Sequence, residues 1–375
     1  MTDNTWPTVD TELIDDVTLY SAKLIIPVTG PVIIDGAVAI HGDRVVHVGK
    51  RRWVLKALKQ EMTAHGTIHE RHWDGVLTPG LINAHTHLQY SGMVQVGQGT
   101  YDRFRAWELA FNEVYAEAQK TQPWKQWAED GARQMVESGT TAAADIVTDL
   151  DAAGALASQG MHGIAYWEVM GWHNAEWMEK GRTELIRQLR RMNEEQLPNL
   201  GISPHAPYTL ESEPFVDLPD IARQLNMRLH IHLAETPLEA GTYPPVLTTY
   251  SAADWSDHDW ESYRQLKEVG KGASAIQFVD QLGSLGPDVH IAHGVWANGE
   301  DRRILRQRGV GVALCPRSNR ITNTGKDAPV REYLEEGNLV SGAPIRSPAR
   351  RPSICLMTCR CFTTWPANKA MPATI

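Results

Sequence analysis

The sequence predicts an α/β protein, a (β/α)8-type TIM barrel preceded by a small N-terminal β-sandwich-like domain. Three observations predict it. From residue 81 onward, short apolar β-rich runs alternate with segments of 10–40 residues that are helical or loop-like, the pattern of βα units. Polar residues bunch at the carboxyl ends of several runs, which is where a barrel of this type carries its chemistry. Ahead of them, residues 17–48 read as short strands joined by turns.

Taken in order, Thr18–Val28 (TLYSAKLIIPV), Val32–Ile40 (VIIDGAVAI) and Arg44–Val48 (RVVHV) are strand candidates, the second following a Gly-Pro break and the third an Asp-adjacent turn. Residues 50–64 read as helical or irregular. At Val76 the pattern changes, and VLTPGLINAHTHL is an apolar strand with its polar residues gathered at the end. The stretch 101–137 is helical, with Trp and Ala on a repeating face. Further strand candidates are Thr140–Asp145, His162–Val169, Leu200–His205, Arg228–Ala234, Val289–His293 and Val310–Cys315, with helical segments 182–195, 214–226 and 300–308 between them. Together with 81–87 they make seven, one short of the eight a closed barrel needs. The insert 236–275, with Pro244, Pro245, Trp255, His258 and Trp260, fits no single element and reads as a flap over the site or as irregular structure. The expected domains are 1–75, 76–340 and a tail at 341–375.

A chain of 375 residues can bury one large core and a small second domain. Its formal charge of -9 argues against a general nucleic-acid surface. There is no apolar run of 18 residues to span a membrane, and MTDNTWPTVDTELIDD lacks the basic and apolar regions of a signal peptide. A cytoplasmic location is the resulting expectation. Three of the four cysteines, Cys355, Cys359 and Cys361, are spaced C-x3-C-x-C, which is not the C-x2-C spacing of a zinc knuckle.

Histidines and one glutamate carry the chemistry. His85 and His87 lie at i and i+2 of a strand, so both imidazoles face one way and can share a metal. In H-I-H-L-A-E, His230 and His232 share a face, and spacing alone does not choose between them. Glu235, just past that strand, suits proton transfer beside a metal-bound water. His293 ends a strand and is followed by Gly294, so it could ligate or orient a water, whereas His290 reads as structural. His205 closes the strand of S-P-H-A-P-Y-T, stiffened by Pro204 and Pro207, and could contact or polarise a substrate. Zinc accepts such imidazole and carboxylate donors, and keeps a position open for a water whose pKa it lowers to roughly 7.

The motifs P-G-L-I-N-A-H-T-H-L, S-P-H-A-P-Y-T, H-I-H-L-A-E-T and A-H-G-V, in this order between Val76 and Cys315, resemble the amidohydrolase superfamily. The resemblance is to the branch of adenosine-deaminase-like, guanine-deaminase-like and triazine-chlorohydrolase-like enzymes. The flanks L-Q-Y-S-G-M and G-I-A-Y-W-E-V-M-G are similar to aminofutalosine-deaminase-like members. The resemblance implies one Zn2+ ion per chain (alternatively Fe2+), held by His85, His87 and His232. It implies Glu235 as general acid/base, His293 orienting the water, and His205 and Gln89 contacting the substrate. The implied reaction is deamination of an aminated purine or related N-heterocycle by attack of metal-bound hydroxide. A triazine chlorohydrolase uses the same attack, and a non-catalytic barrel that binds a ligand or partner is the remaining alternative. The expected partner is a small heterocycle, and a homodimer is compatible with the sequence.

One departure bears on activity. The family carries an aspartate after the eighth strand in a G-T-D-S setting, but here the chain reads L-V-S-G-A-P-I-R-S-P, and residues 341–375 hold no Asp or Glu. Reading codons compatible with Ala343–Pro352 one base earlier yields G-T-D-S-L-A-S-S, so a shifted and truncated frame explains the tail. The sequence thus predicts a missing or disrupted eighth strand, a disordered tail and an impaired site.

Overall fold

The computed structural model describes residues 13–194, 197, 199–241, 266 and 268–343, and the chain divides into two compact units at Gly80. In the first unit, strands β1 (Ile14–Ile25), β2 (Ile33–His41), β3 (Arg44–Lys50) and β4 (Met62–Leu77) form a four-stranded sheet in the order β3-β2-β1-β4. β1 pairs antiparallel with β2 and parallel with β4. Alternation buries one face: Val17 and Leu19 of β1 and Ala37 and Ala39 of β2 pack against Val54 and Leu58, which stand four apart on the helix Arg51–Glu61. The second layer of this small β unit is therefore a helix. The 16-residue strand β4 has no counterpart in the sequence reading. Its centre, HERHWDG, is charged and exposed, so pairing with β1 and not an apolar pattern makes it a strand.

The second unit is the barrel. Its strands are β5 (Leu81–Thr86), β6 (Thr140–Val147), β7 (His162–Val169), β8 (Leu200–Pro204), β9 (Arg228–Leu233), β10 (Val289–His293), β11 (Gly311–Leu314) and β12 (Leu339–Gly342). They form an eight-stranded sheet in sequential order, and each adjacent pair is parallel. Parallel strands are covered on both faces, which explains their short, nearly continuous apolar runs. Ile202, Leu229, Ile231, Ile291 and Val312 are 0% exposed.

Helices return the chain between strands. Helix Gly299–Arg308 shows how local chemistry sets one: Asn298 accepts from the backbone N–H groups of Glu300 and Asp301, Asp301 accepts from the Asn298 N–H, and Gly309 closes the other end at φ 69°. No helix among the described residues is long and apolar enough to cross a membrane.

The expectation of a missing eighth strand is corrected here. β12 forms over four residues and pairs in register with β11. Ala343, directly after it, is buried among Ala84, Ala292, Ala313 and Cys315, and its N–H donates to the Leu314 carbonyl. The disruption lies instead at the seam, because among the described residues no ladder joins β12 to β5. The break also lies one strand later than the gap between the seventh and first strands that an absent eighth would leave. Residues 344–375, including Cys355, Cys359 and Cys361, and most of the insert 236–275 lie outside the described residues.

Candidate active site

His85 lies near the end of β5 and His87 directly follows the strand. Asp145 of β6 accepts from the backbone N–H of Leu88 at 2.8 Å, which pins the chain just beyond His87. Gln89 is buried. Its amide nitrogen donates to Thr148 Oγ1 at 2.5 Å and its oxygen accepts from Thr148 N–H at 2.9 Å, so the structure engages it as a brace between this segment and the end of β6.

Opposite them, β9 supplies two imidazoles on one face. His232 Nε2 stands 3.1 Å from His87 Nε2, and His230 Nε2 stands 3.0 Å from His85 Nδ1. The alternative that spacing left open is thereby resolved: His232 meets the histidines at the strand tips, and His230 backs His85. Ligand atoms of His85, His87 and His232 lie within 4.8 Å of one another. Tetrahedral zinc with bonds of about 2.0–2.1 Å would separate two nitrogens by roughly 3.4 Å, close to the His87–His232 spacing.

The electrostatics suit a cation. Burial, reinforced by neighbouring imidazoles, lowers the pKa of His85 and His232 well below the usual histidine value and that of His87 to about 3. All three are neutral at pH 7 and offer lone pairs. The buried Nε2 of His85 has no hydrogen-bond partner, and an unpartnered buried polar atom costs about 1–3 kcal/mol. This donor set fits Zn2+, and imidazole also suits Fe2+.

Beside the imidazoles sits a clamped carboxylate. Glu235 Oε2 accepts from Tyr208 OH at 2.9 Å, and Oε1 lies 3.3 Å from His293 Nε2. Burial raises its pKa to about 7 against the opposing effect of the Tyr208 donor. The backbone here is held away from its easy conformations. Ala234 has φ 53° and His293 has φ 75°, a region that costs a residue with a Cβ about 1–2 kcal/mol. Glu239 stabilises the first bend, accepting from the N–H groups of Ala234, Glu235 and Thr236 at 2.8–2.9 Å. Asn319 holds His293, its Oδ1 lying 2.8 Å from His293 Nδ1. With the amide oxygen accepting, Nδ1 carries the proton and Nε2 presents its lone pair to Glu235. Burial lowers the pKa of His293 to about 4.

His205 follows β8 directly, half-buried, with Nδ1 2.7 Å from Thr209 Oγ1 and its ring 4.8 Å from that of His232. The structure thus brings His85, His87, His205, His232, Glu235 and His293 to one end of the barrel.

Sequence reasoning missed Tyr208, Asn319, Glu239 and Glu168. Tyr208 lies inside S-P-H-A-P-Y-T, and Glu168 is an acid near the tip of the predicted strand His162–Val169, so both carried a positional signal. Glu239 carried a local signal as the acid of the capping box T-P-L-E, whereas Asn319 carried none, because its role is set by a contact across the fold. Glu168, His205 and His232 form a second group whose ligand atoms lie within 4.8 Å of one another.

Comparison with known proteins accords with this geometry. The amidohydrolase family profile matches residues 76–243. The 5-methylthioadenosine/S-adenosylhomocysteine deaminase of Moorella thermoacetica is 29% identical over 325 residues, 84% of this chain and 66% of that protein. The protein of the same name from Thermococcus kodakarensis is 30% identical over 268 residues, 70% of this chain and 56% of that protein. The chain thus spans less than two thirds of these relatives' lengths. Among solved structures, Helicobacter pylori aminofutalosine deaminase aligns with a TM-score of 0.71 at 18% identity, covering 94% of this chain and 82% of that one. A zinc complex of atrazine chlorohydrolase from Arthrobacter aurescens aligns at 0.70 and 18% identity, covering 88% and 72%. Residues 76–243 thus carry the amidohydrolase family pattern. The solved structures share the fold of this chain.

Proposed function

We propose that this site deaminates an aminated purine, an adenine nucleoside in the first instance, with His85, His87 and His232 holding one Zn2+ or Fe2+ ion. The observation that carries the reading is Glu235, held between Tyr208 and His293 beside three converging neutral imidazoles. The matched deaminases of methylthioadenosine and S-adenosylhomocysteine favour a nucleoside. The ion, when bound, would supply Lewis-acid activation of water.

The chain's own residues then do the rest. Glu235, its pKa raised to about 7, accepts a proton from the attacking water and delivers it to the ring nitrogen or the departing amine. His293, with its Nε2 lone pair turned into the site, accepts a hydrogen bond from the attacking water and orients it. His205, whose ring faces the site, contacts the heterocycle. Oxygen adds to the amidine-like carbon, the C–N bond breaks, and the amino group leaves as ammonia while the ring keeps a carbonyl. The aspartate that the family carries at the end of the eighth strand has no counterpart here, and Ile345 stands where the shifted frame would place it, so we infer weak ion retention and low turnover in this chain. A cytoplasmic location belongs to the same proposal.

The test is release of ammonia from adenosine, 5′-methylthioadenosine and guanine by the zinc-loaded chain, with chloride release from a chlorotriazine measured alongside. Ammonia from a purine alone supports the reading. Chloride alone would transfer the site to dehalogenation, and binding without either product would leave a ligand-binding barrel.

A further inference from the structure

Glu168 lies near the end of β7 with its side chain 3% exposed. Its Oε1 is buried without a hydrogen-bond partner. Two imidazoles face it: His232 Nδ1 at 3.8 Å and His205 Nε2 at 4.0 Å. The partners of His205 exclude it as a donor. Thr209 Oγ1 donates to the Ala206 carbonyl at 3.2 Å, so it accepts from His205 Nδ1–H at 2.7 Å, and the Nε2 of the neutral ring has no proton to give.

His232 is in the opposite state. Its Nε2 faces His87 and the group at the strand tips, while its Nδ1 is buried and unpartnered. A buried nitrogen and a buried carboxylate oxygen, both lacking partners, therefore face each other across a gap that a small ring rotation closes. Contacts of this kind are often long in a site without its ligands.

We propose that Glu168 is the positioning residue of His232. Its Oε1 accepts the Nδ1–H, fixes the ring in the Nδ1-protonated tautomer, and turns the Nε2 lone pair toward the point shared with His85 and His87. Ligating histidines are commonly held this way by a carboxylate at the far nitrogen. The stretch G-I-A-Y-W-E-V-M-G carries Glu168 without showing its role, because its partner lies two strands away on β9. A separate cation on Glu168, His205 and His232 is the competing use of the same atoms. It is disfavoured because a neutral imidazole has one lone pair, and the two groups share His232.

The inference rests on the proposed ion site, but its readouts do not depend on turnover. The metal-free full chain is labelled with 15N-histidine, and the His232 signals are identified by their loss in His232→Gln. The wild-type ring is expected as the Nδ1–H tautomer. Glu168→Met, which removes the acceptor at similar size, is expected to release it to the Nε2–H form and to weaken zinc binding about 10- to 100-fold in a chelator competition. Glu168→Gln, which keeps an acceptor oxygen, is expected to retain the tautomer and to fall between the two in affinity. An Nε2–H tautomer in the wild type overturns the proposal whether or not a variant folds. So does unchanged zinc affinity in Glu168→Met, or a wild-type stoichiometry of two zinc ions that drops to one in that variant. Absence of deaminase activity with the tautomer and affinity pattern intact would sink only the catalytic reading.

Discussion

Tyr208 and His293 stand against the two carboxyl oxygens of Glu235. Replacing Glu235 with Gln keeps the shape and the Tyr208 contact but removes proton transfer. Ammonia release should fall about 10²- to 10⁴-fold while bound zinc, measured by elemental analysis, stays unchanged. His232→Ala should instead lose the zinc itself. Asn319→Ala removes the partner of His293 Nδ1 and frees that ring to change tautomer. It should lower turnover at saturating substrate with little change in KM, since Asn319 acts through His293. At this scale the sequence displayed the candidate groups by their positions. His85, His87, Glu235 and His293 stand in local patterns of strand and tip, whereas Asn319, 26 residues beyond His293, has meaning only through the contact.

At the scale of elements, the segment after β9 is the critical one. It turns through Ala234 at φ 53°, and Glu239 gathers three backbone donors from Ala234, Glu235 and Thr236. Glu239→Ala would leave those buried N–H groups unpaired and should destabilise the chain by about 3 kcal/mol or more in urea unfolding, with turnover lost in parallel. The barrel strands were legible because parallel strands buried on both faces must be apolar and short. β4 and β12 were not. β4 carries the exposed HERHWDG run, and β12 offers only Leu-Val-Ser-Gly. Each is a strand because a neighbour, β1 or β11, presents a backbone edge to pair with.

For the whole molecule, titration of the buried cluster should shape stability. The carboxyls of Glu168 and Asp145, raised to about 8 by burial, and of Glu235, raised to about 7, keep protons in the folded state that the unfolded chain releases above about pH 4.5. Acidification from pH 8 therefore favours folding. His87 and His205, lowered to about 3, and His293, lowered to about 4, stay neutral in the folded state while the unfolded chain protonates its histidines below about pH 6.5. Further acidification favours unfolding. The metal-free chain should melt highest near pH 5–6 and lose stability on both sides, and a profile rising steadily to pH 8 would contradict this. Zinc at about 100 times its Kd should add roughly 2.7 kcal/mol at neutral pH, and this gain should vanish as acid protonates the imidazoles. Ile345→Asp, or the full G-T-D-S reading frame, should raise zinc retention and turnover above those of the chain as it stands, and equal values in the two would refute the account of the missing carboxylate.

The sequence by itself determined the class of barrel and the residues able to do chemistry. A strand's two-residue period and the apolarity of doubly covered strands are local properties written along the chain. Only the tertiary structure decided that His232 and not His230 meets His87, that Glu168 faces His232, and that a short eighth strand docks while the seam to β5 stays without a ladder. These outcomes depend on register and close packing between segments up to 145 residues apart, where a nearby donor or acceptor and not the local pattern sets which atom faces which.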